Sequence, residues 1–88
     1  MVRWQVILSR KAVKDAKKLA RAGLRPQAER LLDLLSEDPL QSPPRFEKLI
    51  GDLSGFYSRR ISLQHRLIYR VDPADHVVHV LRMWTHYE

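Results

Sequence analysis

Apolar residues recur along the chain with two different periods, and the change from one to the other divides it into elements. Over Val2 to Leu8 they alternate, Trp4, Val6 and Leu8 on one side and Arg3 and Gln5 on the other, which predicts a strand. Ser9 then occupies the position of a helix N-cap, and Ala12, Ala16, Leu19 and Ala20 follow at helical spacing until Gly23 supplies a stop. Pro26 fits the first turn of a second helix, in which Ala28, Leu31, Leu32 and Leu35 stand at i, i+3, i+4 and i+7 before Asp38-Pro39 closes it. From Pro39 to Arg45 runs a stiff connector holding three of the five prolines.

Beyond it the period returns to two. Phe46 to Ile50 is expected as a short strand, Asp52-Leu53-Ser54-Gly55 as a turn, and Phe56 to Leu63 as a strand with Phe56, Ser58 and Arg60 opposite Tyr57, Arg59 and Ile61. His65 to Val71 sets Leu67, Tyr69 and Val71 against Arg66, Ile68 and Arg70, and Asp72-Pro73-Ala74-Asp75 turns into a last strand from His76 to Trp84. The expected class is α+β in the order β-α-α-β-β-β-β, with two N-terminal helices packed on one face of a twisted, mainly antiparallel sheet. The other face stays open, and because Arg66 and Arg70 must point away from the helices, it is basic. A site belongs there.

Length and composition narrow this further. Eighty-eight residues, 44% hydrophobic, suffice for one domain spanning residues 1–88, and a chain of this size buries only about 60% of its unfolded surface, so a bound partner would add to a thin margin. With no cysteine and four dispersed histidines, neither a disulfide framework nor a metal site is expected. The first ten residues lack the apolar run of a signal peptide and no later stretch approaches a membrane span, so a cytoplasmic location without membrane contact is the expectation. Sixteen Lys and Arg against ten Asp and Glu leave a formal charge of +6, which raises nucleic acid as a partner. The lysines gather on the first helix (Lys11, Lys14, Lys17, Lys18), whereas the second half uses arginines, whose planar forks suit phosphate.

Taken singly, each of these polar residues is an ordinary surface residue. Together they match a chemical requirement. Cleavage of RNA through its own 2′-hydroxyl needs a base for the 2′ proton, a fixed cation for the phosphate oxygens and an acid for the leaving 5′ oxygen, and it needs no metal or other cofactor. Glu47, Arg66 and His86 are of the right types, and Tyr87 can stack on a base or bond a phosphate.

The segment Asp52-Leu53-Ser54-Gly55-Phe56-Tyr57-Ser58-Arg59-Arg60-Ile61, followed by Gln64-His65-Arg66-Leu67-Ile68-Tyr69, resembles the signature of the Txe/YoeB branch of the RelE toxin family. Phe46-Glu47-Lys48-Leu49 before it and Arg82-Met83-Trp84-Thr85-His86-Tyr87 after it extend the resemblance over most of the second half. The resemblance implies a bacterial cytoplasmic toxin that cuts messenger RNA in the ribosomal A site, leaving a cyclic phosphate and a 5′-hydroxyl. It places Glu47 as general base, Arg66 as the arginine that stabilises the transition state, His86 as general acid and Tyr87 as the terminal RNA contact. It assigns Arg60, in the pair Arg59-Arg60, to secondary phosphate binding, and Arg59, Lys48 and Arg70 complete the expected RNA-binding set. Ile50 stands where YoeB itself has a lysine, so that one cationic contact is missing or replaced, with Lys48 nearby, and Glu88 extends past the tyrosine.

The partners that follow from the resemblance are the ribosome with its message, and a cognate YefM- or Axe-like antitoxin whose flexible, acidic segment covers the site, operator DNA being reached only through that complex. It leaves room for a homodimer. A competing reading is a RelE/ParE-fold toxin that acts by binding alone, for example on DNA gyrase, against which the terminal His86-Tyr87 argues.

Overall fold

The computed structural model describes residues 3–85. The elements follow the expected order: β1 (Gln5–Leu8), α1 (Arg10–Arg21), α2 (Arg25–Glu37), β2 (Phe46–Lys48), a single 3-10 turn at Gly51–Leu53, β3 (Tyr57–Arg60), β4 (Arg66–Asp72) and β5 (Val77–Thr85). The sheet runs β1-β5-β4-β3-β2, antiparallel throughout except that β1 lies parallel to β5. Several strands are shorter than their alternation predicts. Leu49 turns inward instead of extending β2, and His76 takes φ 58° in the turn instead of opening β5. No helix among the described residues is long and apolar enough to cross a membrane.

The two helices form a hairpin closed by local chemistry. Ser9 caps α1 by accepting from the Ala12 N–H at 3.0 Å. At the other end Gly23, at φ 77°, lets the chain reverse, and the Gly23 and Leu24 N–H groups return to the Ala20 and Leu19 carbonyls. That pairing satisfies carbonyls a helix end leaves free, and only glycine adopts the left-handed turn without strain. Pro26 stands in the first turn of α2, where its missing N–H costs nothing.

Both helices cover the same side of the sheet. Ala12, Leu19, Ala28, Leu31 and Leu35 pack against Leu67, Tyr69, Val78, Val80 and Met83 in one buried cluster. β1 accompanies β5 only from Val77 to Val80, so the later edge of β5 would stand unpaired. α1 closes it. The Ser9 hydroxyl donates to the Leu81 carbonyl at 2.7 Å, and the Asp15 carboxylate accepts from the Met83 N–H at 3.1 Å. Two register shifts between β4 and β5 accompany this edge. The two extra residues they place on β5, one at each shift, let consecutive side chains serve the helix side: Arg82 bonds Asp15 at 2.7 Å while Met83 is fully buried.

Candidate functional site

The register of the far face builds a site. In antiparallel pairs, directly opposed residues share a face. Glu47 lies opposite Ser58 and Ser58 opposite Ile68, while two residues along Arg60 lies opposite Arg66. A carboxylate and a hydroxyl therefore sit in one row across the sheet and two guanidiniums in the next. Arg45, two residues before Glu47, extends the arginine row by the same alternation. These residues line one cleft of about 320 Å³, formed by Pro44, Arg45, Glu47, Ser58, Arg60 and Arg66.

Within it an Arg66 guanidinium nitrogen is 3.8 Å from a Glu47 carboxylate oxygen, an ion pair too long for a direct hydrogen bond. Both groups keep contact with solvent, the Glu47 side chain half exposed and that of Arg66 about a third. The pair is loose enough to open for an anion. Ser58 is the opposite case: its residue is 2% exposed, and its hydroxyl has no hydrogen-bond partner among the described residues.

The wall of the cleft is held by a cation the sequence points toward RNA. Arg59 is 1% exposed on the helix side of the sheet. Its guanidinium donates to the carbonyls of Pro44 (2.6 Å), Gln41 (2.8 Å) and Pro39 (3.0 Å) and to the Tyr69 hydroxyl (3.0 Å), which itself donates to the Pro39 carbonyl at 2.7 Å. The Phe46 ring lies 4.9 Å from the guanidinium carbon. A buried cation without a carboxylate is tolerated because carbonyl dipoles and ring faces replace its hydration. Burial pushes the Tyr69 hydroxyl up, against the opposing pull of Arg59. The expectation that Arg59 contacts RNA is therefore corrected: it ties the proline-rich connector to the sheet and so positions Pro44 and Arg45.

Two further expected contacts lie outside the cleft. Lys48 pairs with Tyr57 and Tyr57 with Tyr69, which places Lys48 on the helix side, opposite Glu47, and outside the cleft lining. Arg70 shares the face of Arg66 but lies four residues further along β4, roughly 13 Å away, where it pairs with His79. Of the expected residues, the structure brings together Glu47, Arg60 and Arg66. His86 and Tyr87 lie outside the described residues, and Thr85, the last one described, is in register with Arg66. Two members of the lining escaped sequence reasoning. Arg45 was absorbed into the connector although its spacing from Glu47 marks it, and Ser58 carries no sequence signal beyond its alternation with Arg60. Among the described residues no group of three or more His, Asp or Glu could hold a metal ion.

Another recess lies between the helices, about 360 Å³, bounded by Val13, Ala16, Ala20, Ala28, Leu32 and Met83 with Lys17, Arg25 and Glu29. Its lining is mostly apolar, and it carries no set of groups comparable with the far face.

A helical hairpin over one face of a five-stranded mixed sheet, with a cationic cleft on the other, defines the RelE-like α+β class. The YoeB/ParE toxin from Agrobacterium tumefaciens superposes with a TM-score of 0.84 at 26% identity, over 94% of this chain and 99% of that one. The Staphylococcus aureus YoeB, solved in a heterotetrameric YoeB-YefM complex and as a dimer, superposes with TM-scores of 0.79 and 0.80 at 31% identity, over 97% of this chain and 99% of that one. In sequence, the toxin YoeB of Streptomyces coelicolor is 40% identical over 58 residues, a stretch that is 66% of this chain and 67% of that protein. Residues 9–87 match the family described as "YoeB-like toxin of bacterial type II toxin-antitoxin system". The chain belongs to this YoeB-like toxin family, within the RelE/ParE superfamily.

Proposed function

We propose that the protein is a ribosome-dependent endoribonuclease that cuts messenger RNA in the A site, using Glu47, Arg60, Arg66, His86 and Tyr87. The observation that carries this reading is the meeting of one carboxylate and a row of arginines in a cleft that admits a phosphate.

The Glu47 carboxylate takes the proton of the 2′-hydroxyl, and the freed oxygen attacks the adjacent phosphorus. Arg66 and Arg60 hold the non-bridging oxygens as negative charge builds, replacing the loose contact between Arg66 and Glu47 with bonds to the phosphate. The 5′ oxygen departs and receives a proton from His86, which follows Thr85, the register partner of Arg66, in the chain. A cyclic phosphate and a 5′-hydroxyl result, with atoms and charge balanced and no metal used. Tyr87 bonds or stacks on the message. The cleft offers few groups, so the ribosome supplies the orientation of the message that the protein does not.

In the cell the toxin is restrained by an antitoxin. The S. aureus relative was crystallised with YefM, and the +6 charge here favours an acidic segment folding over the basic face. A dimer such as the one formed by that relative is a second association this chain can make.

Primer extension on ribosomes programmed with a defined message tests the assignment. Glu47→Ala and Arg66→Ala should each lower the cleavage rate about a hundredfold or more while both proteins stay folded. Cleavage by both variants at the wild-type rate, or inhibition of DNA supercoiling with messages left intact, would refute it.

A further inference from the structure

Ser58 is the one residue of the cleft whose burial and chemistry conflict. Its residue is 2% exposed and its hydroxyl has no hydrogen-bond partner among the described residues. Leaving a buried hydroxyl unpaired is unfavourable, and a folded chain retains such a group where something it binds completes the bond. Alanine at this position would fill the same space without that penalty.

Its place in the cleft limits what completes the bond. Ser58 lies in register with Glu47 on one side, and Arg60 and Arg66 occupy the next row. Ser58 therefore forms part of the floor of a cleft whose rim carries one carboxylate and three arginines, Arg45, Arg60 and Arg66, with its hydroxyl just beneath that floor. Each non-bridging oxygen of a phosphodiester held by Arg60 and Arg66 can accept more than one hydrogen bond, and one directed at the floor meets a further donor there. A hydroxyl can donate to such an oxygen without adding charge.

We infer that the Ser58 hydroxyl donates a hydrogen bond to a non-bridging oxygen of the scissile phosphodiester, making Ser58 a substrate-positioning residue beside Arg60 and Arg66. The inference rests on the ribonuclease reading above. It assigns to the floor of the cleft a role that the sequence does not signal, because a serine between Tyr57 and Arg59 looks like an ordinary strand residue.

Single-turnover cleavage on programmed ribosomes, followed across pH, tests it with Ser58→Ala and Ser58→Thr. Loss of one hydrogen bond to a charged oxygen should slow Ser58→Ala roughly tenfold to a hundredfold. The loss should be equal at every pH, and the thermal midpoint should be unchanged or raised, since the variant removes an unpaired polar group. Ser58→Thr, which keeps the hydroxyl, should retain most of the rate. Wild-type speed in Ser58→Ala would overturn the inference while leaving the ribonuclease reading standing. So would a rate loss that tracks a lowered thermal midpoint, which marks a structural role. A shift in the acid limb of the pH profile would also overturn it, because that assigns the hydroxyl to Glu47 and not to phosphate. Failure of the wild-type protein to cut the message would remove both readings.

Discussion

Buried as it is, the Asp15 carboxylate depends on the three donors that reach it, Nε and Nη2 of Arg82 and the Met83 N–H. Burial alone would raise its pKa, but Arg82 and the Met83 N–H outweigh that effect and hold it below the ordinary carboxylate range. A carboxylate whose folded pKa is depressed contributes stability above its unfolded pKa, near 3.8, and loses it as pH falls through the folded value. The wild-type protein should therefore lose stability below about pH 4, and Asp15→Asn should flatten that part of the curve in denaturant titrations at several pH values. Arg82→Ala leaves the carboxylate buried and unpaired and should cost about 2–4 kcal/mol, the partial exposure of Arg82 trimming the figure for a fully buried pair. At the same scale the neighbours Arg59 and Arg60 should separate cleanly. Arg59→Ala strips the donor from three connector carbonyls and should cost upwards of about 3 kcal/mol, whereas Arg60→Ala, at an exposed position, should change stability by no more than about 0.5 kcal/mol and act on cleavage alone. Urea denaturation beside a cleavage assay distinguishes the two.

Elements explain why some of this was legible beforehand and some was not. The helices declare themselves by period and by their ends: Ser9, Gly23 and Pro26 each occupy the position that backbone chemistry demands. The meander is legible because alternation survives in β3 and β4. The same alternation sets Arg59 beside Tyr57 and Ile61 and apart from Arg60, so its inward fate follows from parity once the pair is not treated as a unit. Lys48 is displaced from Glu47 for the same reason. What the pattern cannot encode is the double irregularity of β5, which turns both Arg82 and Met83 toward α1, or the use of Asp15 and Ser9 to close an edge that β1 leaves uncovered. Those contacts join residues more than sixty positions apart. Ser9 serves the helix and the sheet edge together, so Ser9→Ala should destabilise by about 2 kcal/mol, more than the roughly 1 kcal/mol of a cap alone. A chemical denaturation midpoint reads the difference.

For the whole molecule, the division of labour follows from the two faces of one sheet. Helices cover one face and supply the core, and the other gathers Glu47, Arg60 and Arg66 around the buried Ser58 at the edge where β2 closes the sheet. Arg59 connects the two, since a cation buried on the core side fixes the connector that forms one wall of the cleft. Family membership follows from the chain as a whole, over residues 9–87, while the reaction follows from the cleft. The central claim is that this cleft cuts RNA through the RNA's own 2′-hydroxyl. The direct measurement is primer extension on programmed ribosomes with two messages that differ only in a single 2′-deoxy substitution at the cleavage position. The normal message should be cut and the substituted one left whole, whereas cleavage of the deoxy message at a comparable rate would contradict the account.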